Sequence, residues 1–437
     1  MTKEINTIAV LGGGTMGSGI AGLCAQNDRK VLLLDVTMEA AEKSLERIIN
    51  GRPPAVDEPQ KADNISLGTF ADDLDKIADC DWICEAVIED LATKRDLLTR
   101  IEAVRKEGSV VSTNTSGIPL KDIIQGLPAR LARDIAVTHF FNPVKVMRLM
   151  ELVGGAQTDP ATLKRLAAFC GGVLGKGVVY ANDTVNFIGN RIGCFWMLAG
   201  LHQGQKALEE GLSMETIDAL MSKPVGLPPT GLYGLIDLIG LDVMDLVGKN
   251  LAINLPSGDM GVDFTAFPVS IQALLERGQI GRKAGGGFYR MIKHDDGSKT
   301  FEAFDLISGE WRQAETVTLD EAHASLEGLF MDDPEGRFAW AMTSGVLSYA
   351  ADLVGEIAAD IVNIDRAMRW GFAWAKGPFE LLDDIGPQKV AQRLLAEGRH
   401  IPKMLQVLTD AGAATFYRKD GAEYLGLDGA YHQTPEE

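Results

Sequence analysis

The sequence predicts an α/β domain with a mainly parallel sheet, followed by two tandem, mainly α-helical domains packed as a pseudo-dimer. Up to about residue 180, short runs of β-branched residues alternate with helical patterns, which is typical of a parallel sheet with helices on both faces. Beyond Asp183 the strand-like runs largely stop and long amphipathic runs take over. Within that later region the same order of motifs occurs twice, which indicates two copies of a helical unit.

The predicted α/β domain covers residues 1–185. Its strands are predicted at residues 7–11, 31–36, 82–87, 109–113, 135–139 and 149–153, and its helices at residues 15–27, 38–49 and 91–106. The first helical domain is predicted to cover residues 186–313 and the second residues 336–437. The polar stretch 314–335 joins the two.

The repeat is carried by matching residues at matching intervals. Asp218 and the later run 231–240 correspond to Asp365 and the run 377–386. In both copies a Phe-Tyr-Arg sequence and a glycine-containing stretch follow, and they predict a small β-hairpin. Each copy also begins with a helix near an arginine, Arg191 in one and Arg337 in the other. The repeat therefore predicts two copies of one helical unit in tandem.

The composition excludes several classes of protein. The 437 residues carry 42 basic and 61 acidic side chains, a net charge of −19. Such a chain would repel a phosphate backbone, so nucleic acid is not an expected partner. No apolar run is long enough to cross a bilayer, and the N-terminus has no secretory signal pattern, so no membrane partner is expected. The five cysteines lie mostly in apolar runs, which fits reduced thiols in a cytoplasmic protein.

A glycine motif follows the first predicted strand and opens a helix. The motif residues of interest are Gly12, Gly14, Thr15, Met16 and Gly17. Glycines in the pattern G-x-G-x-x-G allow a tight turn and the close approach of a pyrophosphate to the helix N-terminus. Asp35 ends the second predicted strand, where a carboxylate binds ribose hydroxyls and repels a 2′-phosphate. We therefore predict a Rossmann-type domain that binds NAD rather than NADP.

Polar residues also end two later strands, at 112–116 and 138–143, where open α/β sheets bind their ligands. Glu151 follows His139 by twelve residues and lies in an apolar run, where a carboxylate is costly to bury unless it is paired. Pairing with His139 would orient an imidazole that accepts protons near neutral pH. In the alternative interpretation His139 only caps a strand and Glu151 faces water. Spacing alone does not choose between the two.

A set of specific motifs is spread over most of the chain. They are residues 12–21, 85–94, 114–116, 139–143, 190–191 and 281–289. Together they resemble the 3-hydroxyacyl-CoA dehydrogenase family, and the run His139-Phe-Phe-Asn-Pro143 with its downstream glutamate is the most specific of them. The resemblance implies NAD-dependent oxidation of (S)-3-hydroxyacyl-CoA to 3-oxoacyl-CoA in fatty-acid β-oxidation. The tandem helical units resemble the dehydrogenase portion of multifunctional β-oxidation enzymes. In single-unit relatives the helical units of two chains pack about a two-fold axis, so the resemblance implies that the two copies here pack face to face in a pseudo-two-fold arrangement.

The resemblance also implies roles for individual residues. His139 would accept the proton of the 3-hydroxyl group, and Glu151 would orient it and stabilise its charged form. Ser116 and Asn190 would hydrogen-bond the substrate oxygens. The implied cofactor contacts are Gly12, Gly14, Thr15, Met16, Gly17, Asp35, Glu89, Lys94, Asn114 and Asn142. From the residues alone, Ser116 could instead cap a helix, and the charged residues near a helix start could be solvated.

Two differences from the family pattern and one difference between the two copies carry expectations of their own. The run Asp183-Thr-Val-Asn-Phe187 replaces the family's Asp-Thr-Pro-Gly-Phe, which predicts a changed hinge between the domains. The stretch 50–66 is shorter than in many relatives, where an excursion contacts CoA. Gly336 occupies the position in the second copy that Asn190 occupies in the first, so the second copy is expected to be non-catalytic.

The resemblance implies an acyl-CoA substrate and an enoyl-CoA hydratase domain or subunit as a partner. No hydratase activity is expected from this chain, because its residues supply neither a recognisable oxyanion loop nor paired glutamates of that enzyme. Two alternatives remain at this point. One is another short-acid dehydrogenase on the same scaffold, and the other is a non-enzymatic NAD-binding or structural protein derived from such a dehydrogenase.

Overall fold

A computed structural model describes residues 4–437 of the chain. Two compact units are present. One contains the residues up to 188 together with 356–359 and 435–437, and the other contains residues 189–355 and 360–434. Within the described residues no helix is both long and apolar enough to cross a membrane. The five cysteines are buried and free, as expected for reduced thiols.

The first unit is built on an eight-stranded sheet. Its strands are β1 (Thr7–Leu11), β2 (Lys30–Asp35), β3 (Ile65–Thr69), β4 (Trp82–Glu85), β5 (Val110–Thr113), β6 (Ile135–Phe140), β7 (Leu149–Gly154) and β8 (Gly177–Ala181). Its helices are α1 (Thr15–Gln26), α2 (Met38–Asn50), α3 (Leu91–Val104), α4 (Leu120–Ile124), α5 (Ala129–Asp134) and α6 (Pro160–Gly172). The strand order is β3-β2-β1-β4-β5-β6-β7-β8.

The prediction of a mainly parallel sheet is confirmed, since every neighbouring pair except β6 and β7 is parallel. The order of strands reverses between β1 and β4, and open sheets bind ligands at the carboxyl edge of such a switch point. Strands β3 and β8 were not predicted. Both are edge strands that contain glycine, and glycine weakens the strand signal of a sequence.

The second unit contains the helical region of the chain. Its helices are α7 (Gly189–Glu209), α8 (Met214–Leu220), α9 (Tyr233–Ile239), α10 (Leu241–Asn254), α11 (Val269–Glu276), α12 (Pro334–Leu353), α13 (Ile361–Gly371), α14 (Pro378–Ile385), α15 (Pro387–Ala396) and α16 (Lys403–Asp410). Each predicted hairpin is a three-stranded sheet. The strands are β9 (Tyr289–Lys293), β10 (Lys299–Phe304), β11 (Trp311–Gln313), β12 (Tyr417–Arg418), β13 (Glu423–Leu425) and β14 (Tyr431–Gln433).

The two copies of the repeat contain equivalent hydrogen bonds at corresponding residues. The carboxylate of Asp218 accepts hydrogen bonds from two backbone amides at the start of α9 and from the Tyr289 hydroxyl at 2.9 Å. Asp365 accepts from two backbone amides at the start of α14 and from the Tyr417 hydroxyl at 2.8 Å. The helical region is therefore made of two copies of one unit.

The two copies pack along α7 and α12, which are corresponding helices of the repeat. Glycines of α7 allow close approach: a Cβ on Gly193 would lie 2.2 Å from the ring of Phe372, and a Cβ on Gly200 would lie 3.0 Å from Met342. The ring of Phe195 stacks on that of Tyr349 at 4.0 Å between centroids. The predicted pseudo-dimer is present as this seam between α7 and α12.

The segment that replaces the family's Pro-Gly pair adopts an unusual backbone. Asn186 has φ +59° and Phe187 has φ +49°, which is the left-handed region that glycine enters most easily. Asparagine tolerates this region better than other residues with a side chain. Asn186 therefore adopts, at the position of the family's glycine, a backbone conformation that glycine enters most easily.

Substitutions at Asn186 should separate the effect of backbone conformation on stability from the effect of side-chain size. Asn186→Val should lower the free energy of unfolding by about 1–3 kcal/mol, because a β-branched residue is strained at this φ. Asn186→Gly should change it by less than about 1 kcal/mol. Urea denaturation followed by circular dichroism measures both. Equal stability of the valine variant and the unchanged chain would contradict the prediction.

Candidate active site

The glycine motif forms the turn between β1 and α1. Gly12 has φ +100°, and a Cβ there would lie 2.7 Å from the carbonyl oxygen of Ala86. A Cβ on Gly17 would lie 1.8 Å from the carbonyl oxygen of Gly12. Gly14 is exposed, and a Cβ there would meet no atom within 4 Å. The turn therefore packs tightly on its inner side and leaves an open face at the N-terminus of α1, which fits a pyrophosphate.

Asp35 lies beside this turn because β2 pairs with β1 in parallel. Its Oδ2 accepts a hydrogen bond from the backbone amide of Gly13 at 2.9 Å, and its Oδ1 accepts from that of Val36 at 2.7 Å. Arg47 was not among the site residues predicted from the sequence. Its guanidinium donates hydrogen bonds to the carbonyl oxygen of Gly13 at 2.8 Å and to the Ser18 hydroxyl at 3.1 Å. The guanidinium of Arg47 is thus engaged by the turn itself, and the Asp35 carboxylate lies against the same turn.

A buried ion pair lies behind the site. The Lys94 ammonium is 2.9 Å from Glu85 and 3.3 Å from Glu89, and the Lys94 side chain is only 1% exposed. Lys94 is therefore buried between Glu85 and Glu89. The interpretation of Lys94 as a solvated residue is wrong. Glu85 was missed by the sequence analysis, although an acid that ends a buried strand and opens the motif 85–94 is a usable signal.

Glu89 holds the loop that follows β5. Its Oε1 accepts hydrogen bonds from the Thr115 hydroxyl at 2.6 Å and from the backbone amides of Ser116 at 2.9 Å and Gly117 at 2.8 Å. Partial burial disfavours the charged carboxylate, but the ammonium of Lys94 and these donors outweigh it, so the pKa of Glu89 lies below its ordinary value. An ionised Glu89 therefore fixes the loop that carries Ser116.

His139 and Glu151 face each other across the antiparallel pair β6 and β7. The Nδ1 atom of His139 lies 2.6 Å from Oε2 of Glu151, and the exposed fractions of the two residues are 5% and 0%. The second carboxylate oxygen accepts a hydrogen bond from the backbone amide of Ile188 at 3.0 Å. The alternative in which Glu151 faces water is wrong. With Nδ1–H donated to the carboxylate, the neutral imidazole carries its lone pair on Nε2.

The remaining predicted residues lie in four places. The side-chain oxygen of Asn114 accepts a hydrogen bond from the Phe140 amide at 3.0 Å, which joins the ends of β5 and β6. Asn142 is exposed in the loop after β6. Met16 packs its side chain against the core of the first unit, and Thr15 is exposed at the start of α1. Asn190 is the second residue of α7, in the second unit.

Comparison with known proteins decides the family. Residues 7–184 match the model of the family "3-hydroxyacyl-CoA dehydrogenase, NAD binding domain". Residues 187–291 and 336–421 match "3-hydroxyacyl-CoA dehydrogenase, C-terminal domain". The chain belongs to the 3-hydroxyacyl-CoA dehydrogenase family. Its first unit contains the family's NAD-binding domain, and the two matched stretches of the C-terminal domain lie in the two copies of the repeat.

Similar proteins of this dehydrogenase family come from several organisms. A "Probable 3-hydroxyacyl-CoA dehydrogenase" of Bacillus subtilis is 35% identical over 100% of this chain and 58% of its own length. A "Putative fatty acid oxidation complex trifunctional enzyme" of Rickettsia felis is 34% identical over 87% of this chain and 53% of its own length. The chain thus spans a little more than half of these relatives.

One solved structure covers nearly the whole fold. The 3-hydroxybutyryl-CoA dehydrogenase of Escherichia coli superposes with a TM-score of 0.72 at 23% identity, over 94% of this chain and 100% of that chain. Because the identity is low, this similarity is one of fold. It shows that the fold of nearly the whole chain also occurs in that protein.

Proposed function

We propose that this chain oxidises (S)-3-hydroxyacyl-CoA to 3-oxoacyl-CoA with NAD, as a step of fatty-acid β-oxidation. The buried pair of His139 and Glu151, 2.6 Å apart, carries the proposal. Strands β1 and β6 run in the same direction through the parallel pairs that connect them. His139 therefore lies toward the same carboxyl edge of the sheet as the glycine turn, as a proton acceptor for NAD-dependent oxidation requires.

In this mechanism the neutral His139 takes the hydroxyl proton at Nε2. When bound, NAD would accept the hydride from the carbon that bears this hydroxyl group, and loss of the proton from oxygen and the hydride from carbon would leave the carbonyl group. The resulting imidazolium keeps its Nδ1–H on Glu151, whose negative charge stabilises it. The Ser116 hydroxyl and the Asn190 amide hydrogen-bond the substrate oxygens and stabilise the charge that develops there.

The CoA portion of the substrate has a suitable place in the first unit. A cavity of about 260 Å³ lies between α1, the end of α2 and the loop after β6. Arg52 and Lys145 line it next to Asn142, with Lys145 paired to Asp57 at 2.5 Å. Arg47 also lines it while donating to the glycine turn. Basic side chains in this position favour the phosphate groups of CoA, although the stretch 50–66 is short.

The proposal is tested by following NADH formation from NAD and 3-hydroxybutyryl-CoA, with free 3-hydroxybutyrate as the comparison. Oxidation of the thioester in strong preference to the free acid is expected. Equal oxidation of both would favour another short-acid dehydrogenase. NADH binding without any turnover would favour a non-enzymatic NAD-binding protein. Each of these two results would contradict the proposed activity.

An enoyl-CoA hydratase is the partner we propose, because hydration of an enoyl-CoA produces the 3-hydroxyacyl-CoA that this site consumes. The name of the Rickettsia relative, a trifunctional enzyme of fatty-acid oxidation, supports this partner. The buried free cysteines fit a cytoplasmic setting. Hydration of crotonyl-CoA by the chain itself is not expected, and loss of the enoyl absorbance on mixing would contradict that expectation.

Replacing Asp35 should change the choice of cofactor. Asp35→Ala should lower kcat/KM for NAD about 10-fold or more and narrow its advantage over NADP, because the variant loses the ribose acceptor and the repulsion of a 2′-phosphate. Steady-state kinetics with both cofactors measures the ratio. Asp63→Ala, at an exposed acid, is the control. An unchanged ratio of kcat/KM for NAD to kcat/KM for NADP in Asp35→Ala would show that this carboxylate does not contact the ribose.

A further inference from the structure

A buried arginine follows the proposed catalytic asparagine. Arg191 lies in the first turn of α7, directly after Asn190, and it is 1% exposed. The N-terminus of a helix carries partial positive charge, so a cation is unfavourable there. Burial adds a desolvation cost to that charge. The arrangement is stable only if other groups compensate the guanidinium.

Two residues provide this compensation. Asp259 forms an ion pair with the Arg191 guanidinium. The hydroxyl of Tyr349 accepts a hydrogen bond from Nε of Arg191 at 2.6 Å and donates one to Asp259 at 2.9 Å. The ring of Tyr349 is in turn held by stacking on Phe195. Tyr349 therefore joins both charged groups and fixes the direction of the guanidinium.

Tyr349 belongs to the other copy of the repeat. It lies on α12, whereas Arg191, Phe195 and Asp259 belong to the copy that begins with α7. The corresponding arginine of the second copy, Arg337, is 49% exposed and pairs with surface acids. Of these two arginines, the one beside the proposed catalytic asparagine is buried and held across the seam. This asymmetry indicates that the contact serves the site and not the packing of the copies in general.

We propose that Tyr349 is a positioning residue for the dehydrogenase reaction, contributed by the copy that has no catalytic residues of its own. By holding the Arg191 side chain it fixes the first turn of α7, and with it the direction of the Asn190 amide. This inference rests on the proposed role of Asn190. It gives a supporting role in the reaction to the copy that is expected to be non-catalytic.

The test compares Tyr349→Phe with Tyr233→Phe. Tyr349→Phe keeps the ring on Phe195 and removes the hydroxyl that bridges Arg191 and Asp259. We expect kcat with 3-hydroxybutyryl-CoA to fall about 10-fold, while the affinity for NADH, measured by fluorescence titration, stays unchanged. Tyr233→Phe is the matched control, because the Tyr233 hydroxyl is buried without a hydrogen-bond partner among the described residues. Its kcat should equal that of the unchanged chain.

A double-mutant cycle separates positioning from a general loss of stability. If Tyr349 acts through Asn190, adding Tyr349→Phe to Asn190→Ala should not lower kcat further. Effects that multiply, or an unchanged kcat in Tyr349→Phe alone, would overturn the inference while leaving the proposed function intact. Absence of turnover in the unchanged chain would contradict the proposed function, and an Asn190→Ala variant with full kcat would contradict the role on which the inference rests.

Discussion

Replacing His139 with glutamine should lower kcat by about 10²–10⁴-fold, the usual contribution of a general base. The glutamine amide can still donate a hydrogen bond toward Glu151, but it cannot take the substrate proton at the position of Nε2. Binding of NADH should change little, because the glycine turn and Asp35 lie on other strands. Steady-state kinetics and a fluorescence titration of NADH measure the two quantities.

His432→Gln is a suitable control for this variant. His432 is an exposed histidine on β14, so the same substitution there should leave kcat unchanged. Glu151→Gln should also lower kcat, because the imidazolium formed during oxidation loses its charged partner. Near-normal turnover of His139→Gln would exclude His139 as the acid/base, whatever the other variants show.

Removing residues 314–437 should turn the chain into a protein that dimerises or aggregates. The truncation deletes α12 and exposes the face of α7 that carries Gly193, Phe195, Trp196 and Gly200. Phe195 and Trp196 are 5% and 2% exposed in the intact chain, and a large apolar face left in water drives association. Size-exclusion chromatography with light scattering at several protein concentrations measures the change.

A dimer of the truncated chain would mean that a second subunit takes the place of the missing copy. The unchanged chain should remain a monomer under the same conditions if its own second copy fills that place. A truncated chain that stays a soluble, fully active monomer would contradict both the pseudo-partner interpretation and the proposed role of Tyr349.

Much of the fold could be predicted because its signals are local. The glycine turn, the alternation of strands and helices and the repeated motifs are all read within short windows of sequence. The antiparallel pairing of β6 with β7 was not predicted, although only residues 141–148 separate the two strands. A connection that short cannot hold the crossover that a parallel pair needs.

The site was predictable to the extent that its partners are near in sequence. His139 and Glu151 lie on adjacent strands twelve residues apart, so their spacing and the apolar run around the acid suggested the pair. Arg191 finds its partners 68 and 158 residues away. No pattern within one segment identifies such a cluster, because its members meet only after two copies of the helical unit have packed.

Joining the two copies in one chain has a consequence for how the molecule can evolve. In a symmetric dimer every substitution appears on both sides of the interface, so each side must tolerate the same residue. In this chain the two sides of the interface are different stretches of one sequence, so each can change independently of the other. The position of Tyr349 corresponds to Gln203 in the first copy, counting from Arg337 and Arg191. One half can therefore specialise in support of the other half's chemistry, and a tyrosine can be selected on one side without being imposed on the other.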